Sequence, residues 1–407
     1  MTFDQGGSRP RPSLTPPAFA SPLAQPRHGA PATIAPPSVA PAPLPAVAPR
    51  RSGRAATVWI VGVLVLVLVI LIGYFLAAIG PDASLIGMIL ALVPLAGVLF
   101  AVRIVDRWEP EPRGLLVLAV AWGAIASIGI ALGADILVYL AIGDDGTPAR
   151  EAFSAVVQAP VVEELAKGLG VLLIFLIARR AFDGPVDGIV YGALVGAGFA
   201  FTENIQYFAI SYIEGGVVDT TATFFLRGIL SPFAHVMFTA VTGFALGLAA
   251  RRGATPGQAL GPWLLGMAGA IALHAFWNGS AMFGDFFMLY ITLQVPLFIG
   301  FILGVIALRR EEARLTRRRL GEYATAGWFT AQEVDMLATG PGRKAALAWA
   351  RTLRGDRTAL MKEFIADATA LAATRQRALT GRDPHAAADE QALLAKAAAA
   401  RAALFAP

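Results

Sequence analysis

Apolar positions in this chain do not alternate with polar ones. They run on for stretches of about 20 residues or more, separated by short segments rich in Arg, Asp, Gly and Pro. Eight such runs fall near residues 57–79, 84–105, 114–142, 152–178, 188–210, 222–250, 261–282 and 284–308. Each approaches or exceeds the ~20 residues a helix needs to cross a bilayer. In hydrocarbon a spanning segment must satisfy its own backbone, so the pattern predicts helices. The fold expected is all-α: a polytopic membrane helix bundle of about eight transmembrane helices over residues 56–308. Residues 1–55 form a Pro/Ala/Ser tract without an apolar period and read as a disordered, partly polyproline arm. In residues 309–407 apolar positions return at helical spacing, as in the stretch 360–373, which predicts a small helical domain. There Thr330, with Glu333 three positions on, has the form of a capping box.

Composition agrees: 56% of the 407 residues are hydrophobic and 15% charged, which excludes a soluble domain. The net charge of +5 is an orientation signal. Arg50, Arg51 and Arg54, then Arg103, Arg107 and Arg113, then Arg179 and Arg180, then Arg251 and Arg252, then Arg309, Arg310 and Arg314 fall at alternate helix ends. The opposite connections carry mainly acids: Asp82, Asp144, Asp145, Glu214, Asp219 and Asp285. Arg150 is the outer-loop exception, and Arg227 lies just inside the sixth run. Both termini are therefore expected in the cytoplasm, with lipid as the partner of the surface and no nucleic-acid partner. Cysteine is absent, which excludes disulfides, thiolate metal sites and a Cys nucleophile. The first apolar run is too long and too late for a cleavable signal peptide.

Ionisable residues interrupt four consecutive runs. The fourth holds Glu163, Glu164 and Lys167; the fifth Glu203 and Asn204; the sixth His235; the seventh His274 and Asn278. Each charge in hydrocarbon costs about 2.5–3.5 kcal/mol even on lenient scales. Lys167 is i,i+4 to Glu163 and i,i+3 to Glu164, so it can neutralise one carboxylate and leaves one over. Counted from the expected outer end at ~1.5 Å per residue, Glu163, Glu203, His235 and His274 lie roughly 16, 10, 20 and 12 Å deep. Runs of opposite direction thus place their polar residues in one layer. Asp135, in the third run, reads as interface or packing polarity.

Two routes to hydrolysis use these residue types. Two histidines and a glutamate can hold one divalent ion, zinc by preference, from among Glu163, Glu164, Glu203, His235 and His274, with another Glu as base. Without a metal, a Glu activates water while His274 and Asn278, sharing one helix face, donate to the oxyanion. Two further readings stand beside these: a proton- or ion-coupled transporter using the same buried layer, and a non-catalytic membrane binding protein.

At these positions the chain resembles the PrsW family of membrane-embedded proteases, related to the CAAX protease and bacteriocin-immunity group. The family's EExxK appears as Glu163, Glu164 and Lys167, its FxxxEN as Phe199, Glu203 and Asn204, its third-motif histidine as His235, and its HxxxN as His274 and Asn278. The segment Asp106 to Pro112 also looks like the family's loop. The CAAX branch has Arg one residue later than Lys167 and a histidine in place of Glu203. The resemblance implies a plasma-membrane peptidase making the first cut in a membrane-anchored protein, such as an anti-sigma factor. It implies Glu163, Glu164, Glu203, His235 and His274 at the catalytic site, with Lys167, Asn204 and Asn278 supporting them.

Overall fold

The computed structural model describes residues 54–405, apart from 144, 145, 382 and 384, and side chains from residue 58 onward. The expected arm at residues 1–55 lies almost wholly outside the described residues. The described residues form helices and no strand.

Six helical stretches are long and apolar enough to cross a membrane. The first three are α1 (Val58–Ile79), α2 (Pro81–Val105) and α3 (Arg113–Ile142). The fourth expected span is α4 (Ala159–Ile177), which follows a shorter helix Pro148–Phe153 and one wide turn Ser154–Gln158. Its three ionisable residues set it apart from the six. The fifth and sixth expected spans lie within a single 67-residue helical stretch, Pro185–Arg251. The structure divides that stretch. Helix α5 (Pro185–Phe224) is interrupted at Gly216, whose φ of 60° and ψ of −145° reverse the chain. Ser211 then meets Thr223 hydroxyl to hydroxyl at 2.8 Å. A second break at Ser231–Phe233 precedes α6 (Ala234–Arg251). The sixth run is therefore not one uninterrupted helix: Pro232 lacks the N–H that would continue it. Helices α7 (Pro256–Phe283) and α8 (Val295–Thr325) follow. Counted this way, the helices accord with the eight expected spans.

The bundle is organised around α5. Every residue from Pro185 to Phe199 is buried, and a helix apolar on all sides belongs in the centre of its bundle. Gly188, Gly192 and Gly196 repeat every fourth position and form one stripe against α6. A Cβ at Gly192 would lie 2.6 Å from the Thr239 carbonyl oxygen, and one at Gly196 would lie 2.4 Å from that of His235. Small residues at this spacing let two membrane helices approach backbone to backbone. That contact fixes the depth of His235 and Thr239. The outer helix α1 instead exposes Val, Leu and Ile along most of its length, as a lipid-facing helix should.

The chain divides into two compact units, Arg51–Arg309 and one that includes Arg310–Pro407. The second contains α9 (Ala331–Leu337), α10 (Gly340–Thr352), α11 (Thr358–Thr380) and α12 (Ala386–Leu404). Its core gathers Leu320, Tyr323, Phe329, Phe364 and Leu371. The expected capping box is present: Thr330 Oγ1 accepts from the Glu333 N–H at 3.1 Å and Glu333 Oε2 from the Thr330 N–H at 2.7 Å.

Candidate active site

Helix α4 is held in one rotation by two indoles. Trp122 donates to the Ala166 carbonyl at 3.0 Å and Trp263 to that of Gly168 at 2.9 Å. Gly170 makes the first possible, since a Cβ there would sit 2.1 Å from the Trp122 ring. With α4 so held, Glu164 and Lys167 are completely buried, at 0% exposure, while the Glu163 side chain keeps 12%.

Lys167 is the hub. Its ammonium donates to Glu164 Oε1 at 2.7 Å, Glu163 Oε2 at 3.2 Å and His235 Nδ1 at 3.2 Å, and lies 3.8 Å from the centre of the Phe199 ring. An ammonium only donates, so Nδ1 of His235 accepts. Its Nε2 then carries the proton and donates to Glu203 Oε2 at 2.9 Å. Glu164 takes three donors: Lys167, His274 Nδ1 at 3.1 Å and Thr239 Oγ1 at 3.1 Å. His274 thus bears its proton on Nδ1, and its Nε2 lone pair faces Glu163 Oε2 at 3.9 Å. The two imidazoles meet edge to face with ring centres 5.0 Å apart, and Phe238 stacks on His274 at 5.1 Å.

Two neighbours were not recognised in the sequence as part of this cluster. Arg227, from the segment before the second break, donates Nε to Asn204 Oδ1 at 2.7 Å, pairs through Nη2 with Glu203 Oε2, and stacks 3.8 Å over Tyr207. A lone Arg inside an apolar run demands a buried acid partner, which was the available signal. Thr239 was missed too, although it stands one turn from His235 on the same face. Asn278 donates to the Ala155 carbonyl at 2.8 Å and ties α7 to the turn before α4. Asp135 accepts from Gln158 at 3.0 Å.

The donor set suits a metal. One ligand atom each from Glu163, His235 and His274 lie within 4.8 Å of one another, a His₂Glu set of the kind that catalytic zinc sites use. Glu164 behind His274 is the carboxylate that commonly orients a metal-bound imidazole. Formally the cluster holds three carboxylates against Lys167 and Arg227, so a cation is electrostatically welcome. Binding through His235 Nδ1 requires Lys167 to give up that contact, and it retains both carboxylates when it does. Glu163 Oε1 has no hydrogen-bond partner among the described residues.

The fold and this centre define a polytopic membrane protein with carboxylates and imidazoles gathered in one buried cluster. Residues 111–301, which include every residue of the cluster, match the model of the PrsW family intramembrane metalloprotease. The resemblance read from the four motifs is thereby a finding. The chain is 32% identical over 144 residues to Protease PrsW of Geobacillus kaustophilus, covering 35% of this chain and 58% of that one. It is 30% identical over 156 residues to Protease PrsW of Clostridioides difficile (38% and 63%), and 28% identical over 144 residues to that of Bacillus subtilis (35% and 60%). The chain thus spans about 58–63% of the length of the relatives it matches. No solved structure matches it.

Proposed function

We propose that this protein is an intramembrane endopeptidase that hydrolyses a peptide bond of a membrane-anchored protein. The observation that carries the reading is the convergence of Glu163, Glu164, His235 and His274 from three helices on one buried cluster, next to Glu203. Glu163, one of the three residues whose ligand atoms converge, keeps Oε1 clear of hydrogen bonds among the described residues. It orients the attacking water, accepts its proton and returns it to the departing amine. Glu164 fixes the tautomer of His274, Lys167 offsets the paired carboxylates, and Glu203 holds the Nε2–H of His235. Arg227 and Asn204 keep Glu203 in place. With a divalent ion bound, zinc by donor type, Glu163, His235 and His274 would instead be its ligands, and the ion would supply the polarisation of the scissile carbonyl and the acidification of water.

The arginine asymmetry supports multi-pass placement in the plasma membrane with both termini cytoplasmic, and residues 309–407 as a cytosolic helical domain. The resemblance supports regulated proteolysis, with an anti-sigma factor-like protein as substrate. The purified protein, incubated in detergent with a single-span fluorescent reporter, is expected to release two fragments identifiable by mass, and to stop when chelated. Ion flux in proteoliposomes without peptide products would replace this reading by a transporter.

A further inference from the structure

A cavity of about 1290 Å³ opens between α2 and α3 at the ends joined by residues 106–112. It exceeds the roughly 300–1,000 Å³ of ordinary small-molecule clefts. One part of its wall is apolar: Leu99, Phe100, Leu116, Val117, Val120 and Leu194. The other carries three guanidiniums: Arg103 in the last turn of α2, Arg107 in the turn just beyond it, and Arg113 at the start of α3. None of the three has a carboxylate partner among the described residues, although two carboxylates share the wall.

Those carboxylates are engaged elsewhere. Asp106 Oδ1 accepts the Glu111 N–H at 3.0 Å. Glu111 Oε2 accepts the Tyr191 hydroxyl at 2.5 Å. Burial, then the charge of Asp187, pushes the Glu111 carboxyl up to about 11, so it is uncharged at neutral pH. The cavity therefore presents an apolar slot that ends in a net positive mouth.

We infer that this groove is a binding site for an anionic glycerophospholipid, its phosphate held by Arg103, Arg107 and Arg113 and an acyl chain lying along Leu99, Leu116 and Val117. Lipid is the solvent of both helices, so the occupant needs no delivery. Charge selects the headgroup: guanidiniums grip a phosphodiester with paired N–H donors, and basic pockets between membrane helices take acidic headgroups. The site does not touch the Glu/His cluster and its test does not depend on proteolysis.

Native mass spectrometry of the full chain in detergent, titrated with dioleoyl phosphatidylglycerol or dioleoyl phosphatidylcholine, reads the binding. Phosphatidylglycerol is expected to be retained at least about tenfold more tightly than phosphatidylcholine. The Arg103→Gln, Arg107→Gln, Arg113→Gln variant is expected to erase that preference. Val117→Trp fills the slot from a side chain that is already 67% exposed and threatens folding little; it is expected to weaken both lipids. Equal retention of the two lipids overturns the inference, as does an arginine variant that binds like the parent. Displacement of phosphatidylglycerol by millimolar inorganic phosphate also overturns it, because it would mark a free-anion site.

Discussion

Glu163 and Glu164 are neighbours in sequence but differ in what they touch, and substituting each by glutamine separates their roles. Glu164 is fully buried and accepts from Lys167, His274 and Thr239 at 2.7, 3.1 and 3.1 Å. In Glu164→Gln the amide oxygen can keep Lys167 and His274, and the amide nitrogen can donate to the Thr239 hydroxyl. The geometry survives while the charge goes. A hydrogen bond to a charged group contributes about 1 kcal/mol more than a neutral one, so losing the charge at three contacts costs about 2–3 kcal/mol. Glu164→Ala removes the buried partner altogether and should cost about 3–5 kcal/mol. The glutamine variant also loosens the orientation of His274, an effect that in oriented metal ligands is typically 10–100-fold. Unfolding in detergent followed by tryptophan fluorescence, with turnover of a single-span reporter, measures both. Expected for Glu164→Gln is a folded, destabilised protein with residual activity; expected for Glu163→Gln is near-wild-type stability and no activity. A Glu164→Gln protein matching the wild type in both, or an active Glu163→Gln, would refute the assignment.

Three further outcomes are expected. Arg227→Gln should destabilise the protein by about 2–3 kcal/mol, below the figure for a fully buried pair because Arg227 and Glu203 keep 26% and 15% exposure. Arg227→Lys should rescue it incompletely in the same unfolding assay, since an ammonium cannot fork to Glu203 and Asn204 while stacking on Tyr207. Gly192→Val drives a Cβ to 2.6 Å from the Thr239 carbonyl; overpacking of this kind costs about 1–3 kcal/mol and, by shifting α6, should also lower turnover. Glu111 binds its proton in the folded state up to about 11, against 4.5 ordinarily, so the folded protein holds more protons than the unfolded one between these values. Its contribution to stability is present below about 4.5, falls as pH rises through that window, and is flat above about 11. Glu111→Gln mimics the protonated form, and the difference between its melting temperature and that of the parent is expected to shift in the variant's favour as pH rises from 6 to 10.

The four motifs were legible because a charge in an apolar run is costly enough to demand a reason, and helical spacing says which residues share a face. Lys167 meeting Glu163 and Glu164 follows from offsets of four and three alone. So does the Thr330–Glu333 box, which is local by nature. The reversal at Gly216 falls in the connection read between the fifth and sixth runs, but the helix break at Ser231–Phe233 was not legible. The hydropathy of the sixth run is continuous, and a proline near a helix start resembles one inside a helix. The reversal at Gly216 carries Arg227 back to Glu203 and Asn204, but which residues then meet across it depends on packing, so its role stayed hidden. Asn278 shows the opposite limit. Its offset from His274 is correct for a shared face, but which backbone carbonyl it meets depends on how α7 packs on the turn before α4. Glu111, Tyr191 and Asp187 form a buried acid cluster from segments about 80 residues apart, and local spacing records nothing of that pairing.

The account rests on Glu163, His235 and His274 acting as one centre. Turnover of the reporter should be measured for Glu163→Gln, His235→Gln and His274→Gln singly and combined. Residues that work as a unit are non-additive, so each single variant is expected to lose nearly as much turnover as the triple. Losses that multiply across the three, or a single variant that cleaves at the wild-type rate, would contradict a shared centre.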